Sequence, residues 1–172
     1  MEPTSVSPAS SVLHASPASS APAVLFVCTG NTCRSQMAHA MLRSLAPNVT
    51  VYSAGVAPGL QISANAELVV RAAGYSAEGL YPKHVRQYLD SSGNFANNHQ
   101  APKLVFTLCD NARKELPVLP AGVSHYHHGF TDPYHATGSR AERVAVYEHV
   151  RAGIEEWLRS EVLPMLQTGA AC

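Results

Sequence analysis

Polar and apolar positions fall into blocks with two different periods. Residues 24–27 are a short, fully apolar run, and residues 104–108 are another in which Thr107 alone is polar. Such runs suit strands buried on both faces of a parallel sheet. Residues 50–53 and 124–128 read as two further strands. Helical spacing fills the intervals. Met37, Met41 and Leu45 share one stripe of a helix over 36–45, which Pro47 stops. Ser63 is placed to cap a helix that runs to Ala73, with Gly74 as its stop. A short helix is expected over 84–89 and a helical turn over 111–116. The last helix opens on a capping box of Ser139 and Glu142 and carries Val144, Tyr147, Val150, Ile154 and Trp157 at helical intervals. Residues 90–102 are polar, hold Gly93, Asn94, Asn97 and Asn98, and read as a surface loop. Strand and helix in alternation predict a single α/β domain: a four-stranded parallel sheet with helices on both faces.

Composition narrows the setting. The chain has 172 residues, enough for one domain with a core, and its formal net charge is zero. That balance argues against nucleic acid or an anionic membrane as partner. No apolar run approaches membrane-span length. Residues 1–23 are rich in Ser, Ala and Pro and begin Met1-Glu2, a poor secretory signal, so they read as a low-complexity extension. The domain is expected over 24–166, with 167–172 as a flexible tail. The four cysteines, Cys28, Cys33, Cys109 and Cys172, include no C-x-x-C pair and no zinc-ligand spacing. Strand alternation puts His125 and His127 on one face, but no metal is predicted. A reactive thiol needs a reducing compartment for regeneration, so the cytoplasm is expected.

The informative chemistry lies between the first strand and the first helix. Cys28 opens a loop of small residues, Thr29, Gly30, Asn31, Thr32 and Cys33, which closes on Arg34 and Ser35. A loop curling over a helix start aims unpaired N–H groups at one point and makes an anion site. Gly30 and Asn31 suit the positive φ angles that the curl needs. Arg34 can grip two oxygens at once. A thiol on the floor of such a site should have a lowered pKa and be thiolate at neutral pH, with Ser35 donating to it. Cys28 is thus the candidate nucleophile, and the loop with Arg34 the candidate oxyanion cradle.

The segment VLFVCTGNTCRSQMA resembles the active-site loop of the low-molecular-weight tyrosine phosphatase superfamily, and within it the arsenate reductases built on that fold. Gln36 stands where the phosphatases usually carry Pro. VYSAG at 51–55, TLC at 107–109 and HHGFTDP at 127–133 fit the reductase pattern as well. The resemblance runs from residue 24 to about 166. It implies the low-molecular-weight phosphatase fold and an arsenate adduct on Cys28. Cys109 would then attack, releasing arsenite and leaving a Cys28–Cys109 disulfide. It also implies Asp132, before Pro133, as proton donor to the leaving oxygen, and Asn31 and Ser53 as braces of the loop. In the strand order 2-1-3-4, strands one and three lie about 4.8 Å apart. A disulfide spans a Cα separation up to about 7 Å, so modest loop movement would join the two thiols.

Thioredoxin-coupled relatives carry a third cysteine where this chain has Leu116. Three replacements are open: Cys33, Cys172 on its terminal tether, or an external thiol such as glutathione, bacillithiol, glutaredoxin or thioredoxin. No bound cofactor is expected. Some reductases hold potassium through an acidic residue on the first helix, a position that His39 occupies here. Two rival readings stay open. One is a tyrosine phosphatase using Cys28, Arg34 and Asp132, which an aromatic wall at Tyr134 would suit. The other is an oxyanion or arsenic sensor without turnover, against which the proton donor Asp132 argues.

Overall fold

The computed structural model describes residues 22–89 and 100–168. The expected low-complexity extension up to residue 21, the greater part of the expected polar loop, and residues 169–172 with Cys172 lie outside the described residues. Four parallel strands, β1 (Ala23–Cys28), β2 (Val51–Gly55), β3 (Pro102–Thr107) and β4 (Ser124–His127), form one sheet in the order β2-β1-β3-β4. Every residue of β1 is buried, which explains its unbroken apolar run: a central strand has no solvent face. The edge strand β4 instead alternates half-buried and exposed positions. β2 runs two residues beyond its predicted end, because Ala54 and Gly55 still pair with Val27 and Cys28.

The described residues form five α-helices: α1 (Arg34–Leu45), α2 (Ala64–Ala72), α3 (Asp110–Glu115), α4 (Arg140–Trp157) and α5 (Leu163–Gln167). Met37, Met41 and Leu42 of α1 are fully buried. Trp157 closes the core edge-on to Phe26 and Phe106, with ring centroids 6.1 and 5.3 Å away. Truncating a ring of this kind costs about 3–5 kcal/mol. The capping box forms with both bonds in place. Ser139 N–H donates to Glu142 Oε2 (2.7 Å), and Glu142 N–H donates to Ser139 Oγ (3.3 Å).

Two local expectations are corrected. Ser63 occupies the N-cap of α2 without capping it, since its hydroxyl donates to Tyr147 Oη on α4 (2.9 Å). The helix expected over 84–89 is only a 3-10 turn, Val85–Gln87, entered from His84, which bridges to Gly55. Beyond Trp157 the chain passes through a π-helical turn, Leu158–Val162, into α5. The break lets Pro164 fall in a first turn, where no intrahelical N–H donor is required.

Candidate active site

The loop from Cys28 to Cys33 is shaped by what its carbonyls do. The N–H groups of Val56, Ala57, Gly59 and Ser63 donate to the carbonyls of Cys28 (3.2 Å), Thr29 (2.9 Å), Gly30 (2.9 Å) and Thr32 (3.0 Å). A peptide plane whose carbonyl is tied outward aims the N–H of the following residue the opposite way. Asn31 takes a left-handed backbone, φ +48°, which asparagine tolerates better than most residues. Its N–H donates to Cys28 Sγ at 3.2 Å. The outer segment comes so close that a side chain at either of two glycines would force a shift, against backbone at Gly55 and against a side chain at Gly59. A Cβ on Gly55 would lie 2.6 Å from the Thr29 carbonyl oxygen, and one on Gly59 would lie 2.7 Å from Thr32 Cγ2.

Cys28 Sγ also lies 3.0 Å from Ser35 Oγ. That hydroxyl accepts from Asn31 Nδ2 at 2.7 Å, so its own proton is turned to the sulfur. Gln36 is fully enclosed. Its Nε2 lies within donating distance of the Asn31 carbonyl (2.9 Å), Asn31 Oδ1 (3.1 Å) and the Tyr81 carbonyl (2.8 Å), and its Oε1 accepts from Ser53 Oγ (3.3 Å). Lys83 N–H donates to Asn31 Oδ1 at 2.8 Å. Asn31 thus braces the loop from within, and Ser53 reaches it only by way of Gln36.

The expectation of a lowered Cys28 pKa is not met. Burial pushes the thiol up from its ordinary value, and this outweighs the Ser35 and Asn31 hydrogen bonds and the Arg34 charge that pull it down. Arg34 has partners of its own. Its Nη2 pairs with Asp132 Oδ2 at 2.7 Å, and its Nη1 donates to the Phe130 carbonyl at 3.1 Å. Arg34 Nε is buried with no acceptor among the described residues. An oxyanion in the loop would supply one. Asp132 also forms the turn before the Pro133 segment, accepting from Tyr134 N–H (3.1 Å), so its local and its charge-pairing roles coexist.

Cys28, Thr29, Gly30, Thr32, Cys33, Arg34 and Asp132 line one open cavity of about 740 Å³, with Leu60, Ile62, Tyr134 and His135 around its mouth. Asn31 and Ser35 sit fully buried behind it. Cys33 Sγ lies 3.5 Å from Tyr147 Oη, and burial pushes its thiol up.

Cys109 reaches the loop from the next strand. Leu108 N–H donates to the Val27 carbonyl (2.8 Å), so β1 and β3 leave the sheet side by side. Cys109 Sγ lies 3.3 Å from Thr29 Oγ1 and accepts from Ala112 N–H (3.5 Å) as the N-cap of α3. Asn111 Nδ2 donates to the same Thr29 hydroxyl at 3.4 Å. Thr29 is thus the contact between the second thiol and the nucleophile's loop. Leu116 forms the C-cap of α3 before Pro117. His125 Nε2 and His127 Nδ1 do share a face, each 2.9 Å from Thr107 Oγ1. Among the described residues no group of three or more His, Cys, Asp or Glu side chains could hold a metal ion.

Residues 23–167 match the family described as low molecular weight phosphotyrosine protein phosphatase. The chain belongs to this family. It is similar to an arsenate reductase of Bacillus licheniformis, 36% identical over 79% of this chain and 91% of the relative. Among solved structures it is similar to an arsenate reductase from Archaeoglobus fulgidus, at 26% identity and a TM-score of 0.62 over 81% of this chain and 98% of that one. A tyrosine phosphatase of Erwinia amylovora shares the fold at 17% identity and a TM-score of 0.66, over 84% of this chain and 93% of that one.

Within this phosphatase-family scaffold, sequence reasoning did not find the depth of the brace. Gln36 served only as a family marker, and Lys83 drew no notice in a Tyr-Pro-Lys-His stretch that looks like surface. In sequence Thr29 is a lining residue of the loop, and nothing marks it as the link to Cys109. Gly55 and Gly59, so near in sequence after a strand, were the one available signal of a close backbone approach.

Proposed function

We propose that this protein reduces arsenate to arsenite, using Cys28 as nucleophile and Cys109 as the second thiol. The observation that carries the reading is the Cys109 Sγ to Thr29 Oγ1 contact of 3.3 Å, which joins a second thiol to the nucleophile's own loop. The relatives named arsenate reductase support it. In the first step the Cys28 sulfur bonds arsenic, and one oxygen leaves as water. Its two protons come from the arsenate hydroxyl and, by way of Asp132, from the thiol. Arg34 and the loop amides of Thr29, Gly30, Asn31, Thr32 and Cys33 hold the remaining oxygens, and Ser35 steadies the sulfur. The Cys109 sulfur then attacks the Cys28 sulfur. The S–As bond breaks with its electron pair left on arsenic, which falls from +5 to +3, and arsenite departs with the Cys109 proton. The resulting Cys28–Cys109 disulfide takes two electrons from an external thiol, either a thioredoxin- or glutaredoxin-type protein or a small thiol. Such a cycle belongs in a reducing compartment such as the cytoplasm.

The exposed Tyr134 ring at the cavity mouth favours a second activity, hydrolysis of aryl phosphates on Cys28 without Cys109. Cys109→Ser separates the two. We expect steady-state arsenate reduction to fall by about 10³-fold, while hydrolysis of para-nitrophenyl phosphate stays within about twofold. Undiminished reduction with thioredoxin, glutaredoxin and glutathione each as reductant would sink the reductase reading.

A further inference from the structure

Behind the anion loop lies a buried cation that the chemistry does not touch. Lys83 is 5% exposed, and among the described residues no carboxylate is paired with it. Its Nζ donates to the Tyr81 carbonyl at 2.6 Å and lies 4.3 Å from the centroid of the Tyr81 ring. The titratable group that feels it is His39 on α1, whose imidazole is held toward neutrality by burial first and then by the Lys83 and Arg43 charges. Burial holds Lys83 itself down to about 8.

Such a group costs folding free energy. The folded chain binds the Lys83 proton less tightly than the unfolded chain does, so stability rises as pH climbs from about 8 toward the ordinary lysine value. A cost of this kind, with no carboxylate among the described residues to offset it, is typical of functional sites. The connections of Lys83 say what it serves. The Tyr81 carbonyl that accepts from Nζ also accepts from Gln36 Nε2 at 2.8 Å. Gln36 holds both the carbonyl and Oδ1 of Asn31, and the N–H of Lys83 holds that same Oδ1. Asn31 is the left-handed residue whose N–H points at Cys28 Sγ and whose Nδ2 orients Ser35.

We propose that Lys83 is a positioning residue for oxyanion binding. Its ammonium fixes the Tyr81 carbonyl, and through it Gln36 and Asn31, in the arrangement that turns the loop amides toward a bound oxyanion. Lys83 touches neither sulfur nor substrate. The inference needs only an oxyanion in the loop and stands or falls apart from the arsenate reading, so the probe is inorganic phosphate.

The test uses the full chain carrying Cys28→Ser, so that the nucleophile's own titration does not enter, and reads phosphate affinity by calorimetry and Tm by circular dichroism. Lys83→Met is expected to weaken phosphate binding about tenfold without lowering Tm, because the removed charge was a burden on folding. Lys83→Arg keeps a cation at all accessible pH and should bind within about threefold of the parent. In the parent, affinity should drop as pH rises through about 8, and Lys83→Arg should lack that drop. The proposal is overturned if Lys83→Met binds phosphate as the parent does, or if it loses affinity and Tm together while Lys83→Arg does no better. Should Lys83→Met fail to fold, the comparison of parent with Lys83→Arg decides alone: identical pH profiles overturn the proposal, and a drop confined to the parent upholds it.

Discussion

The two thiols of the site live in opposite mechanical settings. Around Cys28, four carbonyls of the loop are tied to the segment after β2, Asn31 is held by Gln36 and Lys83, and the helix that follows is buried from Arg34 to Ala38. Cys109 heads a six-residue helix of which Ala112 alone is buried, and that helix ends at once on an extended Leu116. The difference follows from the two tasks. Stabilising an oxyanion needs dipoles fixed before the charge arrives. Closing a disulfide needs one sulfur to travel, so its carrier must open at low cost.

Hydrogen exchange tests that contrast most directly. Amides of α3 should exchange by local opening about 10³-fold faster, after correction for intrinsic rates, than those of β1 and the Cys28 loop, which should open only with the whole domain. Equal protection of the two segments would remove the distinction. The rigid side has a sharper lever in Gly55→Ala. A methyl 2.6 Å from the Thr29 carbonyl oxygen must displace backbone, and overpacking of this sort costs about 1–3 kcal/mol. We expect phosphate affinity to fall by up to about 100-fold on that scale, while the alkylation rate of Cys109 in a Cys28→Ser, Cys33→Ser background changes little. Parallel losses at both thiols would mean that loop and helix form one unit.

Thr29→Val addresses the link between the two regions. It keeps the shape of the side chain and removes the hydroxyl shared by Cys109 Sγ and Asn111 Nδ2. One hydrogen bond of net worth about 0.5–1.5 kcal/mol predicts about a tenfold slower appearance of the Cys28–Cys109 disulfide in single-turnover mass spectrometry, with aryl phosphate hydrolysis unaffected. Equal slowing of both reactions would place Thr29 in the cradle only.

The same contrast explains what the sequence made legible. β1 and β3 stood out because central strands are apolar throughout, and the capping box of Ser139 and Glu142 is local chemistry three residues apart. That the strands leading to Cys28 and Cys109 are neighbours followed from the strand order expected with the fold. What stayed hidden was long-range and polar. Ser63 gave up its capping role to Tyr147, which lies 84 positions away, and no local rule anticipates that. The Cys28 thiol was expected to drop because the helix start and Arg34 are visible in sequence, whereas the burial that outweighs them is not. The brace was invisible for a similar reason: nothing in the sequence says that Lys83, Gln36 and His39 are enclosed together until packing does it.

His39 offers the finest probe of the rigid side. Its Nδ1 lies 3.1 Å from Ser53 Oγ, and because Ser53 donates to Gln36 Oε1, Nδ1–H must be the donor to Ser53. Burial, Lys83 and Arg43 hold the imidazole down to about 3. The folded value thus lies below the unfolded one. As pH falls from about 6.5, the unfolded chain takes a proton that the folded chain refuses, and stability present above that pH drains away until the folded value is reached. His39→Gln keeps a donor for Ser53 and removes the titration. Urea melts should show a loss below about 1 kcal/mol at pH 7, and between pH 6.5 and 4 a shallower decline than in the parent, by at most one proton equivalent. The exchange rates of α3 should not change, since no atom of His39 is bonded to that helix or to Cys109. Equal acid slopes in parent and variant would mean that the imidazole is protonated in the folded chain, and Nδ1 would then be a donor by charge and not by tautomer.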